Sequence, residues 1–128
     1  MSTDNSRQIA IKNGCKVLEY DSNNEIRDDL YLEIKNNCWK QAKTDWVLIC
    51  DTDEFLDINQ EQLEKEDCSI ILSKGYNMVN LEDDLIFDNI KFGIRAKQYD
   101  KYYLFNKSKI KEINYEAGCH SANPKGEI

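Results

Sequence analysis

The chain has 128 residues, enough for one domain with one core, and nothing in its composition suggests low complexity. Seventeen Lys and Arg against 24 Asp and Glu give a net charge of −7, which argues against nucleic acid or an anionic membrane as the main partner. No apolar run approaches the roughly 18 residues needed to span a bilayer, and the polar start "MSTDNSRQ" lacks the apolar stretch of a signal peptide, so a cytoplasmic protein is expected.

Thr3 to Asn13 reads as a short helix, with Thr3, Asp4 and Asn5 as possible N-caps and Gly14 just past its end. "CKVLEY" (15–20) reads as a strand and "DSNNEIR" (21–27) as a polar loop. From Asp28 to Lys43, Leu30, Tyr31, Ile34, Cys38 and Ala42 recur three or four apart, the stripe of an amphipathic helix, with Asp28 and Asp29 favourable in its first turn. "WVLIC" (46–50) is a continuous apolar strand of the kind covered on both faces by helices. Ile58 to Glu66 suits a short helix, and "CSIILS" and "YNMVN" read as strands around Lys74-Gly75. Leu81 to Tyr99 is mixed, acidic and expected to be loop-rich. "KYYLFN" and "IKEINY" look like a strand pair joined by "KSK", and the tail "EAGCHSANPKGEI" should be irregular. The order predicts a single α/β domain over residues 1–128 with a partly parallel sheet flanked by helices.

Cysteines at 15, 38, 50, 68 and 119 are odd in number and form no CxxC, so reduced structural thiols are expected rather than a zinc site. The sequon at Asn106 is read as chance, because no secretion signal accompanies it. The chemistry concentrates in "DWVLICDTDEF", where the apolar strand runs into Asp51, Asp53 and Glu54. In parallel sheets ligands bind beyond the carboxyl ends of strands, where these acids would sit. Asp51 and Asp53 are two apart, and close carboxylates repel unless something neutralises them. A Mg2+ or Mn2+ ion does so through oxygen ligands; the plainer reading is acids capping the following helix in solvent. There is no P-loop and no GxGxxG, which weighs against other Mg2+-dependent phosphoryl enzymes.

"DWVLICDTDEFL" resembles the DxD region of GT-A fold glycosyltransferases, most closely family 2-like transferases with an apolar strand followed by D-x-D-E-F. "STDNSRQIAIKNGCKV" looks like the segment after that family's first strand, where a D-N-x-S-T-D-x-S run opens the first helix. "IKNNCWKQAKTDW" is similar to the helix leading into the DxD strand, and "QYDKYYLFNKSKI" and "NYEAGCHSANPKG" look like later segments. The resemblance covers almost the whole chain, in order. It implies a metal-dependent transferase that moves a sugar from a nucleoside-diphosphate donor, a UDP-sugar by preference, to an acceptor hydroxyl. It further implies Asp53 as metal ligand, Asp51 on the ribose or the metal, and His120, otherwise a surface histidine, completing the shell.

Candidates for a catalytic base are Asp100 in "QYDK", Glu82, Asp83 or Asp84 in "NLEDDL", and Glu116, although an acidic triplet in a polar loop is usually solvated surface. Lys101 could contact phosphate or pair with Asp100, Arg27 could contact nucleotide, and Glu54 could bind sugar or cap the next turn. Met1 falls inside the D-N-x-S-T-D run, so the family's first strand is expected to be missing. An exposed sheet edge would follow, and with it self-association. The alternative is an inactive remnant serving as a binding or assembly module.

Overall fold

The computed structural model describes residues 4–58, 61, 63, 67–79 and 90–128. They form a mixed helix and strand fold. The expected helix at Ile58–Glu66 falls largely outside them, and so do the candidates Glu82, Asp83 and Asp84.

Helix α1, Ser6–Lys12, starts where the Asp4 carboxylate accepts the Ser6 N–H at 2.9 Å. Gly14, at φ +80, follows its end. No residue of α1 is buried, and Ile9 and Ile11 remain exposed. Residues 15–20 run on without a ladder partner among the described residues, so the strand expected at "CKVLEY" is absent from them.

Helix α2, Asp28–Asn37, tightens into a 3-10 turn at Cys38–Gln41. The sequence alone extends it to Lys43. The Trp39 indole N–H donates to the Asn36 carbonyl at 2.8 Å, occupying an acceptor that a continuing α-helix would use. The Asn36 side chain meanwhile grips the backbone of Tyr115. Its Oδ1 accepts the Tyr115 N–H at 2.7 Å, and its Nδ2 donates to the Tyr115 carbonyl at 3.2 Å.

Strands β1 (Trp46–Leu48), β2 (Ile70–Ser73), β3 (Tyr76–Val79), β4 (Phe92–Arg95), β5 (Lys101–Asn106), β6 (Ile110–Glu112) and β7 (Lys125–Gly126) follow. One sheet has the order β1-β5-β2; β3 pairs with β4, and β6 with β7. Every one of these pairings is antiparallel, where the sequence suggests a partly parallel sheet. The difference centres on β5, which takes both β1 (Val47 opposite Phe105) and β2 (Ile70 opposite Phe105). With both edges used, β5 cannot pair with β6 as "KYYLFN" and "IKEINY" suggest. β6 instead meets β7 in the tail. Gly126, at φ +145, permits this, since a Cβ there would lie 2.2 Å from the Lys109 carbonyl oxygen. β4 lies in the stretch expected to be loop-rich.

The core gathers Trp39, Val47, Ile49, Phe105, Ile110, Ile113, Tyr115 and Cys119. Trp39 meets Phe105 edge-on at 5.0 Å, a favoured aromatic geometry. All five cysteines are free thiols. No helix among the described residues is long and apolar enough to cross a membrane.

Candidate functional site

The carboxyl end of β1 carries the chain through Ile49 and Cys50 into Asp51, Asp53 and Glu54. These three acids line a cleft of 1510 Å³. Its apolar side includes Leu48, Ile71 and Leu104 from the three-stranded sheet and Tyr76 and Met78 from β3. Phe55, on the same loop as the acids, is largely exposed beside them.

The like-charge problem of "DTDEF" is solved chiefly by two lysines. On α2, Tyr31 and Lys35 stand one helical turn apart and face the same way. The Tyr31 hydroxyl donates to Asp51 Oδ1 at 2.6 Å, and Lys35 Nζ lies 2.8 Å from the same oxygen. On β5, Lys101 and Tyr103 stand two apart, so they share a strand face. Lys101 Nζ lies 3.0 Å from Glu54 Oε1, and the Tyr103 hydroxyl donates to that oxygen at 2.5 Å. In both clasps the lysine also sits over its tyrosine ring, at 4.9 Å for Lys35 and 4.7 Å for Lys101. Lys35 and Lys101 are only 7% and 4% exposed, so each needs its carboxylate.

Glu54 also closes the turn. Its Oε2 accepts the Asp51 N–H at 2.9 Å, while its own N–H donates to the Asp51 carbonyl at 3.1 Å. Glu54 thus closes its own turn back onto Asp51, where the sequence suggested a cap on the next turn.

These contacts set the protonation states. Burial works to raise the pKa of Asp51, but the hydrogen bonds from Lys35 and Tyr31 outweigh it and leave the group below the usual carboxylate value. Burial opposes ionisation of Glu54 too, and the Asp51 N–H, Tyr103 and Lys101 together bring it below its ordinary value. Lys35 loses to desolvation but gains more from Asp51 and Tyr31, so its pKa is raised. Burial first, then the bond to Glu54, raises Tyr103.

Among the described residues, two carboxylates, Asp51 and Asp53, keep oxygens without a protein partner. Both contacts to Asp51 fall on Oδ1, and Oδ2 has no hydrogen-bond partner among the described residues. The exposed Asp53 carboxylate makes no hydrogen bond or ion pair among them either. Carboxylate oxygens of this kind suit Mg2+ or Mn2+, which commonly take one or two carboxylates and fill the remaining positions with water and phosphate. No group of three or more His, Cys, Asp or Glu side chains that could hold a metal forms among the described residues. His120 lines the same cleft but is exposed, with its ring 6.0 Å from that of Tyr99. Its position follows from Gly118 (φ +81) and Cys119 (φ +55), which turn the chain so that Cys119 enters the core.

The other candidates lie as follows. Asp100 is held at both oxygens, Oδ1 by the Gly75 N–H at 2.8 Å and Oδ2 by Arg95 at 2.6 Å. Its hydrogen bond from Arg95, then that from Gly75, lowers its pKa, which weakens it as a proton acceptor. The Gly75 N–H approaches Asp100 closely because Gly75 has no side chain; a Cβ would lie 2.4 Å from Tyr99 Cβ. Lys101 pairs with Glu54 and not with Asp100. Arg27 forms an exposed pair with Asp29 at 2.6 Å. Glu116 accepts the Ser121 hydroxyl at 2.5 Å.

Tyr31, which the sequence places only in the apolar stripe of α2, and Lys35 and Tyr103 are not among the site residues expected from the sequence. Their signal lay in periodicity: Lys35 follows Tyr31 by four on the apolar side of α2, and Lys101, Tyr103 and Phe105 alternate on β5. A charged residue in phase with a buried stripe implies a buried partner. No family model, curated protein or solved structure matches this chain.

Proposed function

We propose that this chain is a GT-A-derived glycosyltransferase domain that binds a nucleoside-diphosphate sugar with Mn2+ or Mg2+ in the cleft below β1. The observation that carries the reading is the delivery of Asp51, Asp53 and Glu54 to one cleft by an apolar strand, with carboxylate oxygens of Asp51 and Asp53 left without a hydrogen-bond partner among the described residues. In this reading Asp53 and Asp51 Oδ2 face the cation. Glu54 fixes the turn that presents them, and Phe55 and Tyr76 offer apolar surface to a sugar or base. A divalent cation bound there would neutralise charge on the departing diphosphate. In this reading His120, which lines the same cleft, would approach the ligand from the C-terminal segment.

A second reading, a binding module without transfer chemistry, has one specific observation in its favour. The Asp100 carboxylate is committed to Arg95 and the Gly75 N–H, so it serves as a base only if that clasp opens.

Thermal unfolding with nucleoside diphosphates and sugar nucleotides, each with and without Mn2+, tests the donor site. A ligand at ~100 times its dissociation constant adds roughly 2.7 kcal/mol to the folded state. A rise in midpoint that needs both Mn2+ and one nucleotide is expected; no rise with any pair refutes the reading. Release of sugar from the donor that binds then separates transferase from binding module.

A further inference from the structure

We infer that Asn13 is a site of spontaneous deamidation, and that opening of the C-terminal cap of α1 sets its rate. Asn13-Gly14 is the one Asn-Gly pair in the chain, and both residues are exposed. In this reaction the Gly14 backbone nitrogen attacks Cγ of Asn13. A new C–N bond closes a succinimide, the Cγ–Nδ2 bond breaks, and ammonia departs with the proton that the Gly14 nitrogen gives up. Water then opens the ring at either carbonyl. The product is aspartate in the normal backbone, or isoaspartate with an extra backbone methylene. Nothing is oxidised or reduced. Glycine favours ring closure because it has no side chain to crowd its nitrogen.

The closed cap holds both reacting groups on other partners. The Gly14 N–H donates to the Ile11 carbonyl and the Cys15 N–H to the Ala10 carbonyl, each at 3.0 Å, with Gly14 at φ +80. This paired closure ends many helices. Asn13 Nδ2 donates to the Ile9 carbonyl at 2.8 Å, which turns the carboxamide back along the helix. Ring closure therefore requires the last turn to open. Little holds that turn shut. α1 has seven residues and buries none of them, and so short a helix is marginal without packing. The ion pair from α1 to the following segment, Arg7 with Glu19 at 2.6 Å, has both side chains more than half exposed and contributes little. Local openings of this kind cost far less than global unfolding. The reaction also prevents reclosure: the new carboxylate lacks the donor to Ile9 and lies at the negative end of the helix dipole.

The experiment incubates the reduced chain at mildly alkaline pH and follows conversion at every asparagine by peptide mass mapping. The same chain in guanidinium gives the unprotected rate. Aspartate and isoaspartate are expected at position 13 ahead of every other asparagine, more slowly in the folded chain than in guanidinium. Ala10→Gly loosens the helix without altering either reacting group, and should speed conversion of the folded chain about five-fold while leaving the guanidinium rate unchanged. Another asparagine converting first overturns the site. So does an intact Asn13 in the folded chain after the guanidinium sample has fully converted. Equal folded and guanidinium rates, or no effect of Ala10→Gly, overturn the gating by the cap. If Ala10→Gly does not fold, hydrogen exchange at the Gly14 amide of the parent decides. Its protection should equal the slowing of deamidation, and a mismatch overturns the inference.

Discussion

The Lys101–Glu54 pair should be asymmetric in stability. The two side chains lie 3.0 Å apart, but Lys101 is 4% exposed and Glu54 26%. Replacing Lys101 by Met keeps the aliphatic volume and leaves Glu54 with the Tyr103 hydroxyl, the Asp51 N–H and some water. Replacing Glu54 by Gln leaves the buried ammonium of Lys101 with a neutral oxygen and only the more distant Asp51 carboxylate as countercharge. Breaking a fully buried pair from one side costs about 3–5 kcal/mol. Glu54→Gln should sit at the lower end of that range, ~3 kcal/mol, and Lys101→Met at ~1–2 kcal/mol because its orphan is partly hydrated. Urea unfolding with a slope of roughly 2 kcal/mol per molar would place the midpoints ~1.5 M and ~0.5–1 M below the parent. The double variant should cost less than the sum of the two by ~1–2 kcal/mol. Equal losses, the reverse order or strict additivity would refute the account of which partner is the buried charge.

Asp53→Ala should remove Mn2+-dependent nucleotide binding while leaving the unfolding midpoint within about 0.5 kcal/mol of the parent, since the side chain is exposed. His120→Ala should weaken Mn2+ affinity less than Asp53→Ala; calorimetric titration orders the two. Stability should fall in acid: Asp51 and Glu54 both lie below their ordinary values, so their contribution is present above the unfolded carboxylate range, near ~4, and is lost as pH drops through the folded values. Lys35 adds no acid sensitivity of its own, because a raised lysine loses its contribution only as pH rises through the folded value. Urea midpoints from pH 7 to pH 2 check this, and Glu54→Gln should flatten the slope. Gly126→Ala should cost roughly 1–3 kcal/mol, read as a lower thermal midpoint, because the new Cβ meets the Lys109 carbonyl at 2.2 Å and φ +145 disfavours L side chains.

Local pattern carried α2 and β5 well and located β1, although β1 is shorter than 46–50 and, with Leu48 42% exposed, is not covered on both faces. The stripe from Leu30 to Cys38 marks α2, and the apolar runs mark β1 and β5, because burial imposes a period that composition reveals. Pairing was not legible. Nothing in "KYYLFN" says that both its edges will be filled by residues 46–48 and 70–73, since a strand's partners are set by the whole chain. "CKVLEY" has the residues of a strand, but a strand exists only when another offers a ladder. The acids of the site were found from their crowding after β1. Of their lysines, Lys101 was singled out but matched to phosphate or Asp100 and not to Glu54, and Lys35 was missed, because it is remote in sequence and looks like a surface residue unless counted against the phase of its own helix.

The central place of β5 has a consequence for how the protein is made. Synthesis runs from the N-terminus, and β1 ends 58 residues before β5 is complete. At about 5–20 residues per second, that leaves Val47 and Ile49 without their ladder for ~3–12 s. β2 waits as well, and the grip of Asn36 on Tyr115 comes later still. The nascent chain therefore holds two apolar strands with no partner while the polypeptide is still growing. A chaperone that recognises short extended apolar segments would find its target at 46–49 during that interval and lose it once residue 106 is in place.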